Sequence, residues 1–305
     1  MNETTKELLK VVSDIDGEPT GAYNIREDGE CAGRQSTKDV KITTKTDKPG
    51  IDITIAPGTD HENIYIPACV THSNVTDLVY NDFFVGEGAH VTIIAGCGVH
   101  SDGHEDAVHN GIHRFFIGKN ASVIYIEKHV GTGVGTGKKR INPETYVEIQ
   151  DDGYMEMDTT QIRDVDSTKR VTTAKLAARA KLVIRERLMT DGEEEAETNF
   201  KVEMNGEDSS VDLVSRSVAG GHSRQNLYSE IIGNVRCSGH SECDAIIMDQ
   251  GRVNAIPGLL ANDLDAALIH EAAIGKIAGE QILKLKTLGL TEAEAEAKII
   301  QGFLK

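Results

Sequence analysis

The sequence predicts an all-β core, a β-solenoid, closed by a small C-terminal helical subdomain. Three observations predict it. First, the 305 residues include no Trp, 4% aromatic residues and 30 Gly, and short Val/Ile/Tyr/Thr runs are broken by Gly, Asn and Asp. Second, a unit of turn, small residue and alternating strand recurs. It reads Gly88-Ala89-His90-Val91-Thr92-Ile93, Asn120-Ala121-Ser122-Val123-Ile124-Tyr125 and Asp152-Gly153-Tyr154-Met155-Glu156-Met157, starting every 32 residues, with echoes from Arg179 and Asp208 at intervals of 27 and 29. Such a unit holds two or three short strands and cannot bury its inner face alone, so units must stack. A sandwich of even hairpins is the alternative. Third, the hydrophobic period changes from two to that of a helix beyond Ala266.

Residues 1–50 open with a short amphipathic stretch (Leu8, Leu9, Val11, Val12) and continue polar and Gly-bearing, which predicts an irregular N-terminal cap. Residues 51–265 form the β-helix core. Residues 266–305 form a helical hairpin, because Ile269, Ala272, Ala273 and Ile277, then Ile282, Leu283, Leu285 and Leu288, fall at helical spacing. Gly289 ends that helix. Thr291 and Glu294 make a capping box that opens a last helix carrying Ile299, Ile300 and Phe303.

Composition narrows the function. A net charge of −17 repels polyanions and argues against nucleic acid and anionic membranes as partners. The five cysteines (Cys31, Cys69, Cys97, Cys237, Cys243) are scattered with no C-x-x-C pair, so neither a disulfide framework nor a zinc ribbon fits. Nowhere do about 18 uncharged apolar residues run together. The expectation is a cytoplasmic protein in a reducing compartment.

The loop Gly131-Thr132-Gly133-Val134-Gly135-Thr136-Gly137-Lys138-Lys139 resembles a phosphate loop but breaks the pattern at Thr132 and Lys139, and reads as a solvated loop. The densest chemistry lies from Cys97 to His113, where Cys97, His100, Asp102, His104, Glu105, Asp106, His109 and His113 supply eight potential ligands in 17 positions. Zinc or iron suits such donors, and His109 and His113 share a face on either a helix or a strand. A second locus pairs Cys243 with His270 and Glu271, 27 and 28 residues later.

The stretch Cys243-Asp244-Ala245-Ile246-Ile247, then Pro257, His270-Glu271-Ala272-Ala273-Ile274-Gly275, and Glu280-Gln281-Ile282-Leu283 before Leu288-Gly289-Leu290, resembles the C-terminal signature of the SufB/SufD family of iron–sulfur cluster scaffolds. Upstream, Gly96-Cys97, the polar insert before Val108-His109 and the Gly118-Lys119-Asn120-Ala121 turn resemble the same family. The resemblance covers about residues 72 to 305. It implies a right-handed parallel β-helix with a helical C-terminal part.

The resemblance also implies roles. Cys243 falls on the cysteine with which the B-type subunit holds the nascent cluster, Glu271 on the B-type glutamate and His270 on the D-type histidine. Cys97 falls on the B-type cysteine that receives sulfur; His109 and His113 stay secondary metal candidates. A protonated His270 beside Cys243 is expected to lower its pKa. The C-terminal helices fall on the family's ATPase-binding helices, which makes Ile282, Leu285, Ile299 and Phe303 the expected docking residues. There are departures: Ile269 stands where the B-type has an acidic residue, the aromatic residue lining the sulfur path falls near Gly131, and the large N-terminal helical region is missing.

Both kinds of ligand on a shortened chain resemble compact scaffolds that pair with themselves, so a homodimer is expected, through the sheet edge around Cys237 to Met248. The implied function is a non-enzymatic scaffold of a SUF-type machine. It would build a transient iron–sulfur cluster with sulfur from a cysteine desulfurase system, and release it with a SufC-like ABC-type ATPase. The sequence does not decide flavin binding. The alternative is a metal-dependent (Zn or Fe) hydrolase or lyase on a β-helix, using the Cys97–His113 cluster.

Overall fold

The computed structural model describes residues 1–17 and 19–305. In chain order the elements are α1 (Glu3–Ser13), β1 (Ala22–Glu27), β2 (Glu30–Gln35), β3 (Val40–Thr44), β4 (Gly50–Ile55), β5 (Asp60–Val70), β6 (Thr76–Val85), β7 (His90–His100) and β8 (Ala107–Ile117). There follow β9 (Ser122–Thr132), β10 (Lys139–Ile141), β11 (Glu144–Ile149), β12 (Tyr154–Arg163), β13 (Ser167–Leu176), β14 (Lys181–Thr190), β15 (Glu195–Met204) and β16 (Ser209–Ala219). The chain ends with β17 (Arg224–Gly233), β18 (Cys237–Ile247), β19 (Arg252–Ala261), β20 (Ala266–Gly275), α2 (Gly279–Thr287) and α3 (Glu292–Phe303).

Strands alternate between two sheets, so the fold is a parallel β-solenoid. Sheet A runs β2-β1-β5-β7-β9-β12-β14-β16-β18-β20; sheet B runs β19-β17-β15-β13-β10-β8-β6-β4-β3, with β11 also bridging β8 and β13. The antiparallel pairs are β1–β2 and β3–β4, at the N-terminal end. Each repeat read from the sequence is one coil. The starting residues Gly88, Asn120, Asp152, Arg179 and Asp208 all take left-handed backbone, with φ of 64°, 56°, 59°, 58° and 59°. Asp and Asn tolerate that conformation. Arg179 is held in it beside Asp152, to which its guanidinium donates two hydrogen bonds of 2.6 and 2.7 Å.

The interior divides lengthwise. Residues early in the sheet A strands and late in the sheet B strands form an apolar column that includes Ile93, Tyr125, Phe83, Phe115, Val147, Ile184 and Val202. Phe83 stacks on Phe115 with ring centroids 4.4 Å apart. Burying each such ring stabilises the fold by about 2–3 kcal/mol. The other half of the interior, where a sheet A strand ends and the next sheet B strand begins, mixes buried polar side chains such as Glu127, His129, Arg170 and Glu186 with a small apolar cluster of Val70, Cys97, Val99, Ala107, Ile141 and Val165.

Three sequence expectations need correction. Residues 1–50 are regular rather than irregular: α1 is capped by Asn2, whose side chain accepts from Thr5 N at 2.7 Å, and three strands follow. The helix buries Leu8, Leu9 and Val12 on the outer face of β7. Gly96 and Gly98 allow that approach, since a Cβ at Gly96 would lie 2.5 Å from Val12 O and one at Gly98 2.9 Å from Leu8 Cδ2.

Second, helix does not begin at Ala266. Residues Ala266–Gly275 are β20, paired with β18 along its length, because an open strand edge outweighs the weak helical preference of an Ala/Ile segment. The helices are α2 and α3. Gly289 sits between them at φ 95°, and the Thr291–Glu294 capping box forms as expected.

Third, the Gly131–Lys139 loop is not a free solvated loop. It stacks on residues 101–106 of the previous coil, with Gly135 N donating to Ser101 O and Thr136 N to Gly103 O, both at 2.9 Å. A Cβ at Gly137 would lie 1.9 Å from Glu105 O, so these glycines serve backbone stacking.

At the C-terminal end the free edges belong to β19 and β20, not to the Cys237–Met248 strand, since β18 is hydrogen-bonded on both sides. Ile256, Leu259, Leu260, Ile269 and Ile274 are exposed on these two strands. Among the described residues no helix is long and apolar enough to cross a membrane.

Candidate functional site

Parallel register turns residues a coil apart into rows. On the inner face of sheet A one row reads Ala95, Glu127, Thr159, Glu186, Ser215, Cys243, Ala272. The next row begins Cys97, His129, Gln161. Arg170 reaches across from sheet B, donating from Nη1 to Glu127 Oε2 at 2.7 Å, with Nε 3.6 Å from Glu186 Oε1. Glu186 accepts from Ser215 at 2.7 Å and from Thr198 at 3.1 Å. Ser215 is the strand neighbour of Cys243, and a cavity of about 10 Å³, roughly one water, is lined by Glu186, Ser215 and Cys243. A continuous polar file therefore leads from the Cys97 end of the interior to Cys243.

At the Cys97 end the thiol groups with Glu127 and His129, their donor atoms within 4.8 Å of one another. Burial, then the Glu127 charge, push the Cys97 thiol pKa well above its ordinary value. Burial works against the Glu127 carboxylate, yet the His129 ring and the Arg170 guanidinium hold it ionised, well below the usual carboxylate range. Tyr125 donates to Glu127 Oε1 at 2.8 Å and is 2.8 Å from His113 Nδ1, which must then carry its proton. His109 Nδ1 donates to Asp77 at 3.0 Å, leaving its buried Nε2 without a partner.

The eight donors from Cys97 to His113 thus do not converge. His100 bonds Asp102 within its own coil and Thr132 of the next, while His104 bonds Thr136 and Asp106 pairs with Arg140 in coil-to-coil stacking. His109 and His113 do share the inner face of β8, but their bonds run to Asp77, Tyr125 and Asn81.

At the other end Cys243 and His270 both face the interior, His270 beside Ser241 and thus one inward position away, with its Nδ1 buried and unpartnered. Glu271 faces outward. It joins His240 and Glu242 instead. The expected lowering of the Cys243 pKa does not occur: burial pushes the thiol up to about 11, against a hydrogen bond with Ser241. In the C-terminal helices Ile282, Leu285, Ile299 and Phe303 are half-buried, whereas Leu283 and Leu288 are 63% and 72% exposed.

Sequence reasoning missed Glu127, His129, Arg170, Glu186 and Ser215, all buried. The signal was present: Glu127, Glu186, Ser215 and Cys243 recur at coil spacing on positions the strand pattern assigns to the interior.

Residues 73–303 match the family model described as SUF system FeS cluster assembly, SufBD core domain. The chain is 27% identical over 260 residues to an iron–sulfur cluster assembly SufBD family protein of Methanothermobacter thermautotrophicus (strain Winter), covering 84% of this chain and 62% of that one. It is 28% identical over 269 residues to one of Archaeoglobus fulgidus, covering 87% and 70%. A third, from Methanothermobacter thermautotrophicus strain Delta H, is 27% identical over 244 residues, covering 78% and 58%. The chain thus spans less than two thirds of the length of two of these three relatives.

Proposed function

The chain belongs to the SufBD core family of the SUF iron–sulfur assembly system, and from that premise we propose that it is a scaffold on which a cluster is built and then released. One observation carries the reading: the buried polar file between Cys97 and Cys243. Buried charges such as Arg170, Glu127 and Glu186 are weak stabilisers, and packed apolar residues would serve a purely structural core at least as well. Their presence in a polar file that leads to Cys243 supports a path.

In this reading Cys97 accepts sulfur from a cysteine desulfurase system and Cys243 holds the growing cluster. The two lie on strands five spacings apart in sheet A, roughly 24 Å, so the thiols cannot exchange sulfur directly. Sulfide as co-reactant takes the outer sulfur from the Cys97 persulfide as hydrodisulfide, restoring the Cys97 thiol, and the hydrodisulfide delivers that sulfur to Cys243 and releases sulfide again. Glu127, His129, Arg170, Glu186 and Ser215 line that route. His270 is the second interior donor and Glu271 a carboxylate at the rim. With its pKa near 11 the Cys243 thiol is protonated at neutral pH, and ferrous iron must displace the proton on binding. Few, mixed donors suit a cluster that has to leave.

Two partners complete the proposal. A SufC-like ATPase docks on α2 and α3, where Leu283 and Leu288 stand free. A second copy meets the open β19 and β20 edges, doubling the donor set. Anaerobic reconstitution with iron and sulfide tests the core of it. Wild type should turn brown and Cys243→Ser should lose the cluster absorbance at unchanged melting temperature; equal absorbance in the variant removes Cys243 from the site.

A further inference from the structure

On the outer face of sheet A, behind Cys243, His240, Glu242 and Glu271 bring one imidazole nitrogen and two carboxylate oxygens within 4.8 Å of one another. Register builds the group. Glu242 lies opposite Glu271 across the β18–β20 ladder, and His240 is two residues before Glu242, hence on the same face. Two carboxylates side by side on neighbouring strands repel each other. Among the described residues the basic side chain paired with them is Arg216, 3.8 Å from Glu242.

The imidazole is oriented from behind. His240 Nδ1 lies 2.8 Å from Asp212 Oδ1, and since a carboxylate only accepts, Nδ1 carries the proton and Nε2 presents a lone pair. Asp212 is itself held by Arg185 at 3.1 Å. A carboxylate fixing the rear nitrogen of a histidine is how metal-binding imidazoles are commonly positioned.

We propose that His240, Glu242 and Glu271 form a binding site for a divalent first-row cation, ferrous iron in particular, on the opposite side of the same strand from Cys243. Imidazole with carboxylates and no thiolate suits Fe²⁺, Mn²⁺ or Zn²⁺. Three donors on a half-exposed face leave the remaining positions to water, so the ion is held loosely and exchanges. That fits supply rather than storage. The site stands on its own geometry; its use as an iron supply rests on the scaffold reading above.

Anaerobic titration of the full chain with Co²⁺, followed by competition with Fe²⁺, tests the site. In the Cys243→Ser background, one Co²⁺ per chain should give visible d–d bands without a sulfur-to-cobalt charge-transfer band, and excess Fe²⁺ should displace it. His240→Ala should abolish those bands, and Asp212→Asn should weaken binding about 10- to 100-fold. Cys243→Ser should keep them while failing cluster reconstitution, which separates failure of this site from failure of the scaffold reading. The proposal is overturned by the absence of d–d bands in Cys243→Ser, or by unaltered Co²⁺ affinity in both His240→Ala and Glu242→Gln at wild-type melting temperatures.

Discussion

His113 illustrates what the polar half of the interior costs. Burial, more than any neighbouring charge, depresses its pKa to about 4, so the folded protein holds the ring neutral while the unfolded chain protonates near pH 6.5. Because the unfolded state binds the extra proton between those values, this contribution is fully present above about pH 6.5 and is lost as pH falls towards 4. It amounts to at most about 3 kcal/mol. His113→Gln should flatten the stability profile between pH 6.5 and 4 by close to one proton, measured by denaturant unfolding at several pH values. Parallel profiles for variant and wild type would refute the assignment. At this scale Cys243, His270, Glu271 and Cys97 were legible as candidates, through resemblance. Their environment was not, because a sequence gives spacing along the chain and not which residues of different coils face one another.

The elements differ in how readily they could be read. Turn residues were clear: Gly88, Asn120, Asp152, Arg179 and Asp208 mark coil corners because the chain must turn left-handed there, and short polar residues or glycine do that at low cost. The β20 strand was opaque. Its Ala/Ile spacing suits a helix face as well as a strand, and pairing onto the edge of β18 decided the outcome. The helical pair was legible through Gly289 and its capping box, but not the direction of its faces. Since Ile282, Leu285, Ile299 and Phe303 are half-buried, changing them perturbs packing as well as docking. Leu283 and Leu288 separate the two roles. Leu283→Asp with Leu288→Asp should leave the melting curve unchanged and abolish co-purification with the ATPase; retained co-purification would place docking elsewhere.

The two ends of the solenoid differ. Around the N-terminal coils, α1 covers the outer face of β7 and two antiparallel pairs finish the sheets. The C-terminal end leaves two strand edges bearing Ile256, Leu260 and Ile274, the kind of surface that pairs with another chain unless blocked. Ile256→Lys with Leu260→Lys should convert a dimer to a monomer in light scattering, whereas a wild-type chain that stays monomeric at every concentration contradicts self-pairing. Stacked coils could be inferred from a 32-residue recurrence. The lengthwise division of the interior could not, because it arises only when the coils are superposed.

In the proposed function, sulfur received at Cys97 reaches Cys243 through the interior. Persulfide trapping with peptide mass spectrometry, after incubation with a sulfur-loaded desulfurase donor and sulfide, reads that transfer. Wild type should carry sulfane sulfur on both cysteines, Cys243→Ser on Cys97 alone, and Cys97→Ser on neither. Undiminished loading of Cys243 in Cys97→Ser would contradict it.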